Sequence, residues 1–306
     1  MKKDIRKIYE FVMWQNCNNE CSFCFLRYDK NYHSRLLIDS EKIQALDCVI
    51  NFLKSDEFER GSHILIAGGE LFYQRYKEDV YAKFKELTDL IIDYMHKGYI
   101  DILYLNSNLL FDDLSDIKTL FLYPLIENNL ISHIHFTTSY DRYGRYANKQ
   151  KEEQFLHNLK SLVEEFKDVP DFPIYVNCIL TEPLCNDVIS GSFNRREFVK
   201  EHYNKIYVNF LPYIPFDKSL EPSDNLIFRT LLYIKNDDEV YFEYYINNFL
   251  LDQERTVYEY NKFTHKLDDH TSEINPKCGH LKSFSKFRDG DKCLLCNYKK
   301  IKDALL

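Results

Sequence analysis

Three cysteines stand close together in the segment Trp14-Gln-Asn-Cys17-Asn-Asn-Glu-Cys21-Ser-Phe-Cys24, spaced C-x3-C-x2-C. That spacing lets one loop gather three thiolates around a single centre. A structural zinc site takes four protein ligands, and no fourth cysteine or histidine follows before His33. Three cysteines suit a [4Fe–4S] cluster with one iron left open to something other than protein. A second set lies near the other end: Cys278-Gly-His280, then Cys293-Leu-Leu-Cys296, a C-x14-C-x2-C arrangement. Those donors serve either a second [4Fe–4S] cluster or a closed tetrahedral zinc site of Cys278, His280, Cys293 and Cys296. The chain has nine cysteines, an odd number, and no secretory signal, which argues against a disulfide framework. Cys48 on an amphipathic helix and Cys178 in a strand read as inert buried thiols. Cys185 is expected in a loop.

The elements that must position these thiols follow from periodicity. Apolar runs rich in β-branched and aromatic residues predict strands at Ile8–Met13, His63–Ala67, Asp101–Asn106, His133–Thr138, Pro173–Leu180 and Lys205–Leu211. Helical patterns fall near Ser40–Lys54, Glu78–His96, Leu114–Glu127, Lys149–Glu165, Phe193–His202, Ser223–Leu232 and Glu239–Leu250, with Ser40 and Ser115 as N-caps. Strands alternating with helices imply parallel pairing through right-handed crossovers. The fold class is therefore α/β, a partial (β/α)6 open barrel spanning residues 1–250. Residues 251–306 lose the βα rhythm and form a small C-terminal metal-binding appendage. Sites in parallel α/β folds gather where strands end. The first cysteine set follows strand one, Gly68-Gly69-Glu70 strand two, Asn106-Ser107-Asn108 strand three, and Ser139-Tyr140-Asp141 strand four.

This pattern resembles the radical S-adenosylmethionine (radical SAM) superfamily. The resemblance rests on C-x3-C-x2-C after the first strand, Phe23 just before the third cysteine, and Gly-Gly-Glu after the second strand, and it covers residues 5–215. It implies that Cys17, Cys21 and Cys24 hold three irons of a [4Fe–4S] cluster. The amine and carboxylate of SAM then chelate the fourth iron, with Gly68, Gly69 and Glu70 at the methionine amino group. Glycine independently permits close backbone approach, and a carboxylate accepts a charge-assisted bond from an ammonium. Asn108, Ser139 and Asp141 lie where relatives bind the ribose and carboxylate of SAM, and Arg145 is placed to pair with that carboxylate. Each of these four is equally a cap or turn residue. Asn177 and Asn209 either face the barrel interior or are satisfied by backbone. The C-terminal cysteines resemble the twitch or SPASM-like appendages of the superfamily, without the fuller cysteine run; that context favours iron–sulfur over zinc there.

The resemblance implies reductive cleavage of SAM to methionine and a 5′-deoxyadenosyl radical, which abstracts hydrogen from substrate. An electron donor such as flavodoxin or ferredoxin is implied as partner. Substrate is read as a peptide or protein, with a small molecule or nucleotide held alongside. A metal-stabilised binding module without catalysis is the reading from another class, and an open-iron cysteine set argues against it. Composition narrows the field further. A net charge of −8 argues against broad nucleic-acid binding, although residues 277–306 carry eight basic side chains against three acidic ones. The start breaks its apolar run at Glu10 and Gln15, and no stretch suits a membrane span, so a cytoplasmic, unprocessed chain is expected. There is no phosphate-loop, zincin or serine-hydrolase motif.

Overall fold

The computed structural model describes residues 7–22, 24, 36–170, 172–212, 218–242, 255–269 and 304–305. In chain order the elements are β1 (Ile8–Val12), α1 (Asp39–Lys54), β2 (Ser62–Ala67), α2 (Glu78–His96), β3 (Ile100–Asn106), a helical run over 115–127 (α3), β4 (Ile134–Ser139), α4 (Lys149–Glu165), β5 (Ile174–Leu180), α5 (Glu182–Ser190), α6 (Arg195–Glu201), β6 (Ile206–Pro212), α7 (Asp224–Asp237), β7 (Arg255–Asn261) and β8 (Lys266–Asp269). All six strands read from the apolar runs are present, shifted by a residue or two at their ends.

They form one sheet in the order β6-β5-β4-β3-β2-β1-β7-β8. Every pairing is parallel except β7 with β8. β7 lies parallel to β1, with Ile8 opposite Arg255 and Val12 opposite Glu259. Residues 255–269, grouped with the appendage on sequence, thus continue the main sheet through β7 and β8. The four donors Cys278, His280, Cys293 and Cys296, and most of the helix expected at Glu239–Leu250, lie outside the described residues; 239–242 are helical.

Alternation within the strands explains the layering. Ile64, Ile66, Leu103, Leu105, Phe136, Val176 and Val208 join Leu46, Phe84 and Leu159 of the helices in one apolar core. Burying each such side chain contributes about 1.5–3 kcal/mol. Most residues of opposite parity remain half-buried or exposed, Leu65 and Ile100 being buried exceptions. A band of rings crosses five strands there: His63 to Tyr104 at 5.8 Å, Tyr104 to His135 at 4.9 Å, His135 to Tyr175 at 5.0 Å and Tyr175 to Tyr207 at 5.4 Å.

Four local expectations change. Helix α1 starts at Asp39 with Ile38 as N-cap, its N–H donating to Glu41 Oε2 at 2.9 Å, so Ser40 is inside the helix. Ser115 is likewise the first helical residue, and Leu114 the cap. The α3 run widens to a π-turn at Lys118–Leu122 ahead of Pro124, which has no N–H to continue the α-helical ladder. Finally, Cys185, expected in a loop, lies in helix α5 over 182–190. Thr181 caps it by accepting from Leu184 N–H, and Gly191 ends it at φ 79°.

Candidate metal centre

The cysteine loop is laid directly against the carboxyl end of β2. Beyond the β1–β2 ladder, Met13 N–H donates to Ala67 O at 3.2 Å, Gly69 N–H to Trp14 O at 2.9 Å and Glu70 N–H to Asn16 O at 2.8 Å. The two glycines make this contact possible. A Cβ on Gly68 would sit 2.3 Å from Trp14 O, and one on Gly69 2.3 Å from Asn16 O and 2.5 Å from Gln15 O. Trp14 anchors the loop from below, edge-on to Tyr76 and Phe84 at 6.3 and 6.0 Å. Asn16 closes its far end: its Oδ1 accepts from Leu37 N–H at 2.9 Å and its Nδ2 donates to Leu37 O at 3.3 Å.

On this base stand three thiols outside any disulfide, Cys21 buried and Cys17 and Cys24 half-buried. Burial is the first cause pushing the Cys17 thiol up to about 11; the Asn19 backbone N–H works against it, while the charges of Glu70, Cys21 and Cys24 add to the rise. The three cysteines therefore share one electrostatic neighbourhood. Asn108 Nδ2 reaches Cys17 Sγ at 3.8 Å, and Asn19 Nδ2 reaches Cys21 Sγ at 3.2 Å. Soft sulfur donors, hydrogen-bond donors aimed at them and no disulfide make a donor set that fits an iron–sulfur cluster. A metal must displace the thiol protons on binding. Among the described residues no group of three or more His, Cys, Asp or Glu side chains is gathered tightly enough to hold a single ion.

Two buried carboxylates flank the loop. Glu70, only 1% exposed, takes Phe72 N–H at 3.1 Å and Ser107 Oγ at 3.2 Å on Oε1, and Asn108 N–H on Oε2. Burial raises it to about 7, outweighing those bonds and the charge of Arg145. Its carboxylate is thus engaged in shaping the ends of β2 and β3. Asp141 is buried and closes a turn, Oδ1 accepting from Tyr143 N–H at 2.9 Å and Gly144 N–H at 2.7 Å, and Oδ2 from Thr181 Oγ1 at 3.4 Å. Desolvation raises this group too. Arg145 keeps part of its surface accessible while its Nε is shut away from solvent. Burial opposes its charge, but the charges of Cys21, Tyr146, Asp141 and Cys24 hold its pKa above the ordinary value. Ser139, at the end of β4, accepts Tyr146 Oη on its carbonyl at 3.4 Å.

The turn at 141–145 is stitched to the cysteine loop. Ser22 N–H donates to Gly144 O at 2.7 Å and Asn19 Nδ2 to Arg145 O at 2.9 Å. Lys151, in the first turn of α4, donates to Asn18 O at 3.3 Å and Asn19 Oδ1 at 3.2 Å. Asn18 in turn donates to Leu110 O and accepts from Asn108 Nδ2 at 2.8 Å. Asn16, Asn18, Asn19 and Lys151 were not singled out on sequence. The available signal was the run Gln15-Asn16-Cys17-Asn18-Asn19 itself, amide-rich where strand-end loops need paired donors and acceptors.

Phe23 lies outside the described residues. Asn177 and Asn209 pair with each other across β5 and β6 at 3.3 Å. Cys178 is buried and its thiol is driven far upward by desolvation. Cys185 sits in α5, buried, and not in a loop; burial raises it to about 11.

No protein-family model and no curated protein matches the sequence. A solved structure does: a chain described as histidine-tagged anSMEcpe with bound AdoMet aligns with a TM-score of 0.50 at 15% identity, over 79% of this chain and 62% of that one. The two chains share a fold. This chain spans less than two thirds of that neighbour. No helix among the described residues is long and apolar enough to cross a membrane.

Proposed function

We propose that the chain is a radical SAM enzyme with a [4Fe–4S] cluster on Cys17, Cys21 and Cys24. One observation carries this reading. Three thiols outside any disulfide, from a single strand-end loop and reached by two amide N–H donors, occur in a fold shared with an AdoMet-bound protein. When bound, the cluster supplies the electron that cleaves SAM to methionine and a 5′-deoxyadenosyl radical, the agent that takes hydrogen from substrate.

The chain's own residues have three tasks. The glycine pair lets the cysteine loop lie against β2, and Glu70 and Asp141 fix the loops on either side. The peptide groups of Gly68, Gly69 and Glu70 meet the SAM ammonium, while Arg145 offers a bidentate fork to its carboxylate. Asn108 and Ser139 complete the walls. Cys278, Cys293 and Cys296 with His280 hold a second [4Fe–4S] cluster or a zinc in a C-terminal twitch-like appendage. An electron donor such as flavodoxin or ferredoxin delivers electrons in the cytoplasm. The substrate is a peptide or protein, or a small molecule or nucleotide.

Anaerobic reconstitution followed by iron, sulfide and zinc analysis tests the reading together with a dithionite-driven SAM-cleavage assay. The expected result is 5′-deoxyadenosine with about eight irons per chain, or about four irons and one zinc. Cys21→Ala is expected to lose the N-terminal cluster and all 5′-deoxyadenosine formation while staying folded. A fully loaded protein that leaves SAM intact, or a Cys21→Ala variant that still cleaves it, overturns the proposal.

A further inference from the structure

The side-chain amides of Asn19 and Asn108 can each be oriented in only one way. Asn19 Oδ1 accepts from Lys151 Nζ, a group with no acceptor capacity, at 3.2 Å. Its Nδ2 must therefore face the other side, where it meets Arg145 O at 2.9 Å and Cys21 Sγ at 3.2 Å. Asn108 Oδ1 accepts from Leu110 N–H at 2.8 Å, also a pure donor. Its Nδ2 is thereby turned to Asn18 Oδ1 at 2.8 Å and Cys17 Sγ at 3.8 Å. Both amides are tethered to elements outside the cysteine loop, one to α4 and the 141–145 turn, the other to the end of β3. These tethers tie the loop residue Asn19 to α4 and the turn, and Asn108 to the end of β3, and so hold both donors where they meet sulfur.

We infer that Asn19 and Asn108 are positioning residues that set the reduction potential of the metal cluster on Cys17, Cys21 and Cys24, each by aiming a side-chain N–H at a coordinating sulfur. This rests on the reading of the site as an iron–sulfur centre. Reduction adds one electron, from an external one-electron donor, to a cluster whose sulfurs already carry negative charge. An N–H···S bond strengthens as that charge grows, so it favours the reduced state and raises the potential. A thiolate ligand without such a donor leaves the reduced state less favoured. Asn19, with the shorter contact to sulfur, carries the larger share.

The test is an EPR-monitored redox titration of reconstituted protein without SAM, comparing wild type with Asn19→Ala, Asn108→Ala and the isosteric Asn19→Asp at matched iron content. Loss of the Asn19 donor is expected to shift the one-electron equilibrium toward the oxidised cluster about tenfold, a fall of about 59 mV. Loss of the Asn108 donor is expected to shift it about threefold, roughly 30 mV on the same scale. Asn19→Asp keeps the shape and the Lys151 contact but replaces the donor with a charge. Its potential is expected below that of Asn19→Ala, and it decides the matter if the alanine variant fails to take up iron. Potentials of Asn19→Asp or Asn19→Ala equal to wild type at equal iron content overturn the inference. A wild-type protein that binds no iron is a different failure, read in the metal analysis before any titration, and it removes the iron–sulfur reading and this inference together.

Discussion

The cysteine loop is held between two walls of opposite character. The wall from β2 and β3 carries Glu70, whose charge adds to the rise of the Cys17 thiol. The wall from the 141–145 turn carries Arg145, whose guanidinium answers the charges of Cys21 and Cys24. Both walls have a buried carboxylate bonded by two backbone N–H groups and one hydroxyl. Only the second brings a cation against two of the thiols from the same turn. The first wall therefore works mainly through shape, by letting two backbones touch, and the second mainly through charge, by balancing sulfur and carboxylate.

The sharpest way to break the first wall is steric. Gly69→Ala forces a Cβ to within 2.3 Å of one carbonyl oxygen and 2.5 Å of another, both in backbone just beyond the β1–β2 ladder that is held to β2's end by the Glu70 N–H bond to Asn16 O. Overpacking of this kind costs about 3 kcal/mol, read as a lowered urea midpoint. A stability equal to wild type would mean that the loop lifts off β2 without penalty and that the first wall has no shape requirement.

Glu70 sharpens the same wall through pH. Its folded pKa lies near 7 against an ordinary 4.5, so between those values the folded chain binds more protons than the unfolded one. Stability from this group is greatest below the ordinary value and declines as pH rises through the window from 4.5 to 7. Glu70→Gln cannot ionise, so relative to wild type it is expected to gain up to about 3 kcal/mol between pH 4.5 and 8. Urea midpoints at both pH values test this, and a constant difference between the two proteins counts against a buried, proton-holding Glu70.

The second wall is broken by removing its cation. Arg145→Met keeps bulk while leaving Asp141 buried without the nearby positive charge. Because Arg145 is only half-buried, the expected loss is about 2 kcal/mol, less than for a fully buried pair. If stability is unchanged, the turn is held by its backbone bonds to Asp141 alone and the two walls do not differ as described.

Much of this arrangement was legible in the residues. Runs such as His63–Ala67 and Pro173–Leu180 announce buried parallel strands, and the cysteines, the glycine pair, Asn108 and Asp141 fall at strand ends, where the fold brings their loops together. Illegible features depended on pairing across sequence. β7 docks parallel to β1 across more than 240 residues, and nothing in Arg255–Asn261 names its partner. Glu70 and Asp141 were read as contacts for a ligand because a carboxylate at a strand end looks available. Their actual hydrogen bonds come from residues whose positions only the folded loops define. Asn16, Asn18 and Asn19 escaped notice because asparagine in a loop is ordinary until its partners are known.

The smallest expected effect tests whether the second wall also reaches the cysteine loop at a distance from the charge pair. Lys151 lies in α4 rather than in the turn, yet its Nζ meets Asn18 O and Asn19 Oδ1 at 3.3 and 3.2 Å. Half-buried and bonded to neutral oxygens, it contributes about 1 kcal/mol or less. Lys151→Met keeps the aliphatic stem over the loop and removes only the ammonium. The expected outcome is a small stability loss with faster amide hydrogen exchange in residues 17–22 and unaltered exchange at β2. Loosening at β2 to the same degree would instead make the cysteine loop and the strand beneath it one unit, and the separation into two walls would fail.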